Sequence, residues 1–500
     1  MPFCKLLPVA GLALLLAACG GSTDNTTAVA GTAPTVQLVV PELPRRTVEL
    51  GVPDEYDQLR TTYDKARLAI AKNPNDMASW LRMSEVFITE ARITSNFGSN
   101  FDAALSILDH VIAKSGTDKA RRSEALTLKA AVKLSQHQFS EALVLGKEAV
   151  ALDPHRAFNY GVLVDANVEL GHYEEAVLMS DKMVTTRPDL RSYSRISYLR
   201  EIHGDIPGAM EAMDMAVKAG YPGQEETSWC RTVLGRLHEN TGDLKNAETQ
   251  YMIAITERPN YPPAMAAMGR LELKKKNTTK AEEWLNQAIA LVPDPHYYME
   301  LARVHAAQGR MDDRTMAMTK AEELLVGLSG LDKSHTHAHG GDLHAHTTAI
   351  DDGKAHDHDG TSHSHTDTAA SDHSHAASIP DHGHSHEVGL EMGRFELEFH
   401  KDLPVALANG LHEYAIRPDN IDVNALLAGV YYAMGDLDNA RMHLVKARRT
   451  GTKDAYTTCV AGLVAAKSGE AKVGKSFIAQ AFKTDPHQLH AFTEEARRMR

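Results

Sequence analysis

The residues with the greatest potential for chemistry in this 500-residue chain are histidines concentrated in one segment. Fourteen of its 27 histidines lie between His335 and His386, mostly as His-x-His pairs among Ser, Thr, Asp, Ala and Gly. In an extended chain, residues two apart point to the same side, so both imidazoles of a pair can reach one ion. Neutral imidazole is a good ligand for Zn²⁺, Cu²⁺ and Ni²⁺. The segment therefore predicts many exchangeable sites for a divalent transition metal rather than one rigid catalytic site.

The predicted metal ligands are His335, His337, His339, His344, His346, His356, His358, His363, His365, His373, His375, His382, His384 and His386. Aspartates at 342, 357, 359, 367, 372 and 381 are available to complete a coordination shell. The segment resembles in composition the histidine-rich loops of periplasmic zinc-binding proteins and of zinc transporters. Two alternatives stay open, a solvated spacer whose histidines bind nothing and a pH sensor whose imidazoles charge together. Aliphatic residues are too sparse here to form a core, so we expect a disordered insertion.

The chain on either side of the histidines is periodic. A small residue, a second one seven positions later and a proline five beyond it recur with a period of 34 residues. The sets are Ala247-Ala254-Pro259 and Ala281-Ala288-Pro293, with further copies at Ala142-Ala149-Pro154, Ala176-Met183-Pro188 and Gly474-Ala481-Pro486. Small residues seven apart lie on one helix face and let a neighbouring helix approach closely, and the proline ends the helix. This period, with two helical patterns per unit, predicts a solenoid of stacked helical hairpins.

The repeat resembles the tetratricopeptide-repeat (TPR) family, whose landmarks can be placed in residues 157–188. The aromatic, leucine, small, turn-glycine, second aromatic, alanine and proline positions hold Tyr160, Leu163, Val164, Gly171, Tyr173, Ala176 and Pro188. Val164 replaces the usual glycine or alanine, and Met183 replaces the second alanine. The resemblance covers roughly residues 55–490 and implies an all-α, TPR-like helical-hairpin solenoid, a right-handed superhelix of about nine to ten units.

The same resemblance implies a function in binding. TPR proteins hold a peptide or helix of a protein partner on the concave face that their first helices line. By this resemblance the groove is expected at residues 160–167, 193–200, 231–238 and 265–272. An adaptor or assembly role follows as the expected function.

The N-terminus carries a targeting pattern. Lys5 precedes an apolar run, Leu6 to Ala18, which is too short to span a bilayer. The run ends in Leu16-Ala17-Ala18-Cys19, which resembles a bacterial lipobox and implies cleavage before Cys19 and a lipidated thiol at this residue. Gly20 in place of aspartate is similar to outer-membrane sorting signals, so we expect a lipid-anchored protein of the bacterial envelope, at the outer membrane. The alternative is an ordinary cleaved signal peptide.

These patterns divide the chain into six parts. We expect a lipoprotein signal peptide (1–18), the lipidated cysteine with a flexible tether (19–50), a TPR array (51–330), the His-rich insertion (331–388), C-terminal TPR units (389–490) and a polar end (491–500). The insertion is predicted to fall between two repeat units rather than within one.

Composition and motifs narrow the function further. A formal net charge of −13 argues against nonspecific binding to nucleic acid. Cys230 and Cys459 lie inside helical patterns several repeats apart and are predicted to be buried and unpaired. Residues 469–476 match the GxxxxGK[ST] phosphate loop, but a helical repeat surrounds them instead of the required strand and βαβ unit. The sequence predicts no enzyme and no required cofactor. Two hypotheses remain, an interaction scaffold with an incidental loop and a metal-binding accessory to a membrane transporter.

Overall fold

The computed structural model describes residues 39–328 and 388–500, and the regular secondary structure in these ranges is entirely helical. The helices are α1 (Glu55–Lys72), α2 (Met77–Thr94), α3 (Phe97–Lys114), α4 (Lys119–Ser135), α5 (Phe139–Leu152), α6 (Ala157–Leu170), α7 (Tyr173–Thr186), α8 (Leu190–Ile202), α9 (Ile206–Ala219), α10 (Glu225–Asn240), α11 (Leu244–Glu257), α12 (Pro262–Lys274), α13 (Thr278–Leu291), α14 (Pro295–Ala307), α15 (Met311–Leu328), α16 (Val388–Phe395), α17 (Leu403–Ile416), α18 (Ile421–Met434), α19 (Leu437–Ala447), α20 (Ala455–Lys467), α21 (Ala471–Thr484) and α22 (Thr493–Met499). A π-helical turn, Glu396–His400, continues α16. None of the described helices is both long and apolar enough to cross a membrane.

Consecutive helices pair into ten hairpins in the described residues, from α2–α3 to α20–α21. We number these hairpins 1 to 10 and call the first helix of each one A and the second B. Helix α1 precedes the first hairpin and α22 follows the last. The predicted all-α solenoid of TPR-like hairpins is confirmed. Hairpin 7 (α14–α15) ends at residue 328 and hairpin 8 (α16–α17) begins at 388, so the His-rich stretch separates two whole hairpins.

The small residues that revealed the period lie where helices touch. Ala142, Ala149, Ala247 and Ala254 are completely buried, because a side chain of one methyl group allows the next helix to approach closely. Gly171 ends α6 with φ 79°, a left-handed conformation that glycine adopts without steric cost, and its N–H bonds back to the last turn of α6. Packing of small residues and left-handed turns thus shapes each hairpin.

Residues 41–50 differ from the flexible tether that the sequence predicted for 19–50. The Tyr63 hydroxyl donates to the carbonyl of Pro41 over 2.7 Å. Leu43 and Leu50 are buried. The Arg46 guanidinium bonds both carboxylate oxygens of Glu90 at 2.8 Å. Apolar burial and this bidentate ion pair fix the segment against α1 and α2, and a composition-based reading of a short Pro-containing stretch could not reveal such contacts.

The solenoid also contacts itself between hairpins that are far apart in the chain. Arg258, only 1% exposed at the side chain, bonds both carboxylate oxygens of Glu55 at 2.8 and 3.0 Å across 203 residues of sequence. Its Nη1 also donates to the carbonyl of Gly223. The start of the array is therefore held against the turns that flank hairpin 5 (α10–α11).

A second long-range contact centres on Arg417, whose side chain is fully buried. Its guanidinium lies 2.9 Å from Glu413 on α17 and 2.9 Å from Glu169 at the end of α6. Beside it, the N–H of Ile421 donates to the hydroxyl of Tyr173. Removal of one member of a buried ion pair typically costs about 3–5 kcal/mol, because the remaining charges are left uncompensated.

A third long-range contact joins the last hairpin to the middle of the array. Lys274 on α12 lies 3.1 Å from Glu239 on α10 and 3.1 Å from Asp485, just after α21. Burial by itself would raise the pKa of Glu239, but the charges of Arg270 and Lys274 outweigh it and hold that pKa at about 2. Glu239 therefore remains ionised at neutral pH, although it is completely buried.

These contacts share one register. The turn inside hairpin 3, at Gly171, meets the loop after hairpin 8 at Asp419. The turn inside hairpin 4, at Ile202, accepts a hydrogen bond from Thr450, in the loop after hairpin 9. The turn inside hairpin 5, at Gly242, touches Pro486, after hairpin 10. The internal turn of each of these hairpins therefore packs on the loop that follows the fifth hairpin beyond it, and we call this line of contacts the seam.

The seam gives one glycine a second role that can be measured. Gly171 and Gly435 both end an A helix with positive φ, 79° and 83°. A Cβ at Gly171 would collide with the backbone of Asp419, whereas a Cβ at Gly435 would meet nothing within 4 Å. Gly435→Ala is expected to cost about 1–2 kcal/mol for the left-handed turn alone. Gly171→Ala is expected to cost clearly more, because the seam must also open.

Thermal unfolding followed by circular dichroism measures both variants. We expect Gly171→Ala to lower the midpoint of thermal unfolding more than Gly435→Ala does. Equal drops would show that the seam contributes nothing to stability.

Candidate functional site

A water-accessible cavity of about 940 Å³ runs along the A helices of the first five hairpins. Most of its wall comes from α2, α4, α6, α8 and α10, with side chains from α3, α5 and α7 and from the loops before α6 and α8. The five A helices occupy equivalent places in successive repeats, so the stacking that builds the solenoid also lines the cavity. We call this space the inner cavity. Its lining includes Glu85, Ile88, Arg92, Phe101, Leu128, Phe158, Val162, Asp165, Glu169, Arg191, Arg195, Tyr198, Glu225, Glu226 and Trp229.

Most charges on the wall of the inner cavity are paired between neighbouring hairpins. Arg195 on α8 reaches both carboxylate oxygens of Asp165 on α6, at 2.8 and 2.5 Å. Arg191 lies 2.7 Å from Glu226 on α10. Burial alone would raise the pKa of Glu226, but the charges of Arg92 and Arg191 outweigh it and lower that pKa. These pairs brace adjacent A helices and leave little unbalanced charge on that part of the wall.

Glu85 and Asp153 line the cavity without a Lys or Arg within ion-pair distance among the described residues. Asp153 accepts the N–H of His155. Glu85 is exposed to the cavity, and partial desolvation by the surrounding wall is the largest cause of its raised pKa; the charge of Glu124 raises that pKa further, whereas Arg156, Arg191 and Arg82 act in the opposite direction. A cation delivered into the cavity would therefore meet a carboxylate that has no direct ion-pair partner among the described residues.

Aromatic side chains give the inner cavity an amphipathic wall. The guanidinium of Arg191 lies 5.0 Å from the ring centre of Phe158. Trp229 lines the cavity, and its indole Nε1 is buried without a hydrogen-bond acceptor among the described residues. An indole N–H without a partner loses free energy, which an acceptor entering the cavity would restore. Apolar area, an unneutralised carboxylate and a vacant donor together suit a peptide segment.

Two of the four windows predicted for the groove contribute side chains to the inner cavity. Val162 and Asp165, within 160–167, and Ser194, Arg195 and Tyr198, within 193–200, line the inner cavity. The windows 231–238 and 265–272 do not line this cavity. In those windows Arg236 pairs with Glu201, and Arg270 with Glu239.

Sequence reasoning missed the contribution of the first two hairpins to the wall, including Glu85 and Arg92. The signal that could have found them is the repeat itself, since every A helix presents the same face. It also missed Trp229, which was assigned to no site.

Several other predicted residues can be placed. Cys230 and Cys459 are buried free thiols, and burial raises the pKa of Cys459 to about 12. Gly469 forms the turn of hairpin 10 with φ 89°. A Cβ at Gly474 would lie 2.7 Å from the carbonyl oxygen of Gly462, so this glycine serves close helix packing rather than phosphate binding. Cys19 and the fourteen predicted histidine ligands lie outside the described residues.

No family model matches the chain. Among curated proteins it is similar to human Protein O-mannosyl-transferase TMTC1, with 24% identity over 196 residues, 39% of this chain. The chain spans only 22% of that relative's length.

Several solved structures are similar to this chain at low sequence identity. Pseudomonas aeruginosa PilF shares 15% identity over 42% of this chain and 93% of its own, with a TM-score of 0.35. Cut9–Hcn1 of the APC/C shares 13% identity over 89% and 68%, with a TM-score of 0.36. YrrB, described as a TPR protein with an unusual peptide-binding site, shares 21% over 38% and 94%, with a TM-score of 0.27. At such identities the likeness is one of fold.

Two carboxylates of the inner cavity should respond oppositely to removal of their charge. The folded protein raises the pKa of Glu85, so ionisation of this carboxyl group lowers the free energy of unfolding as pH rises through its folded-state pKa. Glu85→Gln is therefore expected to raise the unfolding midpoint at pH 7. The gain in the free energy of unfolding is expected to stay below about 1 kcal/mol, because solvent screens the exposed side chain. The folded protein lowers the pKa of Glu226, so the ionised carboxylate stabilises the fold at every pH above the pKa of this group in the unfolded chain. Glu226→Gln is therefore expected to lower the unfolding midpoint at pH 7.

Calorimetric or optical melting at pH 7 compares the two variants with the parent protein. Shifts of the same sign would contradict this account of the cavity wall.

Proposed function

We propose that this protein is a lipid-anchored scaffold of the bacterial envelope that holds a segment of a partner protein in its inner cavity. The observation that carries the proposal is the wall of this cavity, where, among the described residues, Glu85 has no ion-pair partner and Trp229 Nε1 has no hydrogen-bond acceptor. A bound segment with a Lys or Arg side chain would neutralise Glu85, and one of its backbone carbonyls would accept from Trp229. The role is binding, and no catalytic step is assigned to it.

The paired charges of the wall support this kind of partner. Because Arg191, Arg195, Asp165 and Glu226 already neutralise one another, a strongly charged ligand such as nucleic acid gains little there. A net charge of −13 also disfavours a polyanion. An uncharged or mildly basic peptide with apolar side chains fits best. Envelope anchoring rests on the Leu16-Ala17-Ala18-Cys19 pattern, which places the scaffold at a membrane surface through its lipid.

Site-specific photo-crosslinking tests the cavity as the binding site. A photoreactive residue at Thr89, in the cavity wall, is expected to form adducts with a partner in cells that produce the protein. The same residue at Val144, exposed on α5 and absent from the cavity lining, is the matched control. Adding Glu85→Arg is expected to abolish the Thr89 adduct, since the reversed charge repels a basic side chain. Equal adducts from both positions, or no effect of Glu85→Arg, would contradict the proposal.

A second function, binding of divalent metal ions by the insertion, is favoured by the six clusters of His-x-His spacing between 335 and 386. The alternatives are buffering of Zn²⁺, Cu²⁺ or Ni²⁺ and presentation of these ions to a membrane transporter. A spacer without bound metal would leave the scaffold function alone.

Calorimetric titration of these three ions distinguishes the possibilities. The parent protein is expected to bind several equivalents at micromolar or tighter affinity, and a variant with all fourteen histidines changed to Asn is expected to lose them while keeping the length of the insertion. Deletion of residues 334–386 should give the same loss. If the Asn variant binds metal as the parent does, the histidines are not the ligands. Survival of the Thr89 adduct in the deletion variant would show that scaffold and metal functions are separate.

A further inference from the structure

The junction between hairpins 7 and 8 holds a cluster of metal-ligating side chains outside the His-rich segment. Glu322 of α15 and Glu396 and His400 of the π-helical turn each offer one ligand atom within 4.8 Å of the others. Glu322 lies shortly before the His-rich insertion in the chain, and the π-helical turn lies shortly after it. π-helical turns often mark functional sites, since the extra residue re-aims neighbouring side chains.

The two ring nitrogens of His400 lie near the carboxylates of two different residues. Its Nδ1 lies 3.2 Å from Oε2 of Glu396, and because an ionised carboxylate only accepts, Nδ1 donates. In the neutral ring Nε2 is then the nitrogen with a free lone pair, and it lies 4.0 Å from Oε2 of Glu322. Metal-binding histidines usually show this arrangement, in which one ring N–H is held by a carboxylate and the other nitrogen binds the ion.

Among the described residues, no Lys or Arg lies within ion-pair distance of the two carboxylates of the cluster. Glu396 is 5% exposed, and the ring of His400 is the basic group that lies beside its carboxylate. The same ring is the basic group nearest to the carboxylate of Glu322. The charge of Asp402 adds to the negative field at Glu396. A site with carboxylates in excess, one of them desolvated, favours a bound cation.

We propose that His400 Nε2 and the carboxylate of Glu322 bind a divalent transition-metal ion of the zinc class, with Glu396 orienting the imidazole. Zinc–ligand bonds of about 2.0–2.2 Å would bring the two ligand atoms slightly closer than their present 4.0 Å. His400 is exposed and Glu322 half-exposed, so the ion keeps open positions for water or for an exchanging ligand. This site goes beyond the scaffold function and does not depend on the histidines of the insertion.

Histidine footprinting of the full-length protein tests the site directly. Diethylpyrocarbonate acylates an unprotonated imidazole nitrogen, and a bound metal blocks that nitrogen. Mass spectrometry then gives the rate at each histidine with and without Zn²⁺. The rate at His400 is expected to fall about tenfold once zinc exceeds its dissociation constant by about tenfold. His412, exposed on α17, is the internal control and should react equally in both conditions.

Three variants separate this site from the insertion. The fourteen-histidine Asn variant should retain zinc protection of His400. Glu322→Gln should remove most of it, because an amide oxygen is a poor zinc ligand. Glu396→Gln should weaken it and, since Gln can also donate, change the rate of the metal-free ring. Thermal melting without zinc verifies that each variant is folded.

The outcomes are decisive in either direction. An unchanged His400 rate in the parent protein, with protection confined to the insertion, would overturn this site and leave the metal function of the insertion standing. Protection of His400 that Glu322→Gln does not weaken, or that disappears in the Asn variant, would overturn the assigned ligands. Protection of His400 without protection of the insertion would support this site and count against metal binding by the insertion.

Discussion

The architecture depends on closure of the seam by buried charges. A stack of hairpins contacts only its neighbours unless successive turns approach closely, and here Arg258, Arg417 and Lys274 join residues more than 200 positions apart. Each of these cations is nearly or fully buried and has at least two partners. Such groups add little net stability compared with apolar packing, but they are costly to leave unpaired, so they specify which loops meet. The seam therefore fixes the register of the solenoid.

The A helices of hairpins 1 to 5 line a cavity that is partly open to solvent. Pairing of Arg191 and Arg195 with carboxylates on adjacent helices neutralises most of its wall. Among the described residues of the wall, the carboxylate of Glu85 has no ion-pair partner and Trp229 Nε1 has no acceptor, and these two groups define the chemistry of the proposed partner.

The His-rich insertion lies in the chain between hairpins 7 and 8. The long segment thus replaces a connection in the chain without interrupting any hairpin. Glu322 and His400 lie on the helices that begin and end this connection, so a structured metal site and a metal-binding segment would be neighbours in sequence.

The sequence alone determined the repeat, the small residues at its helix contacts and the glycines in its turns. It could do so because small residues seven apart and turn glycines such as Gly171 act locally, within one helix or one turn. It also predicted that Cys230 and Cys459 are buried. It located part of the inner cavity, at Asp165 and Arg195. Only the tertiary structure decided the seam, the docking of residues 41–50 and the meeting of Glu322 with His400. Those contacts depend on the superhelical rise and curvature, which arise from small rotations accumulated over many hairpins and leave no local pattern in the chain.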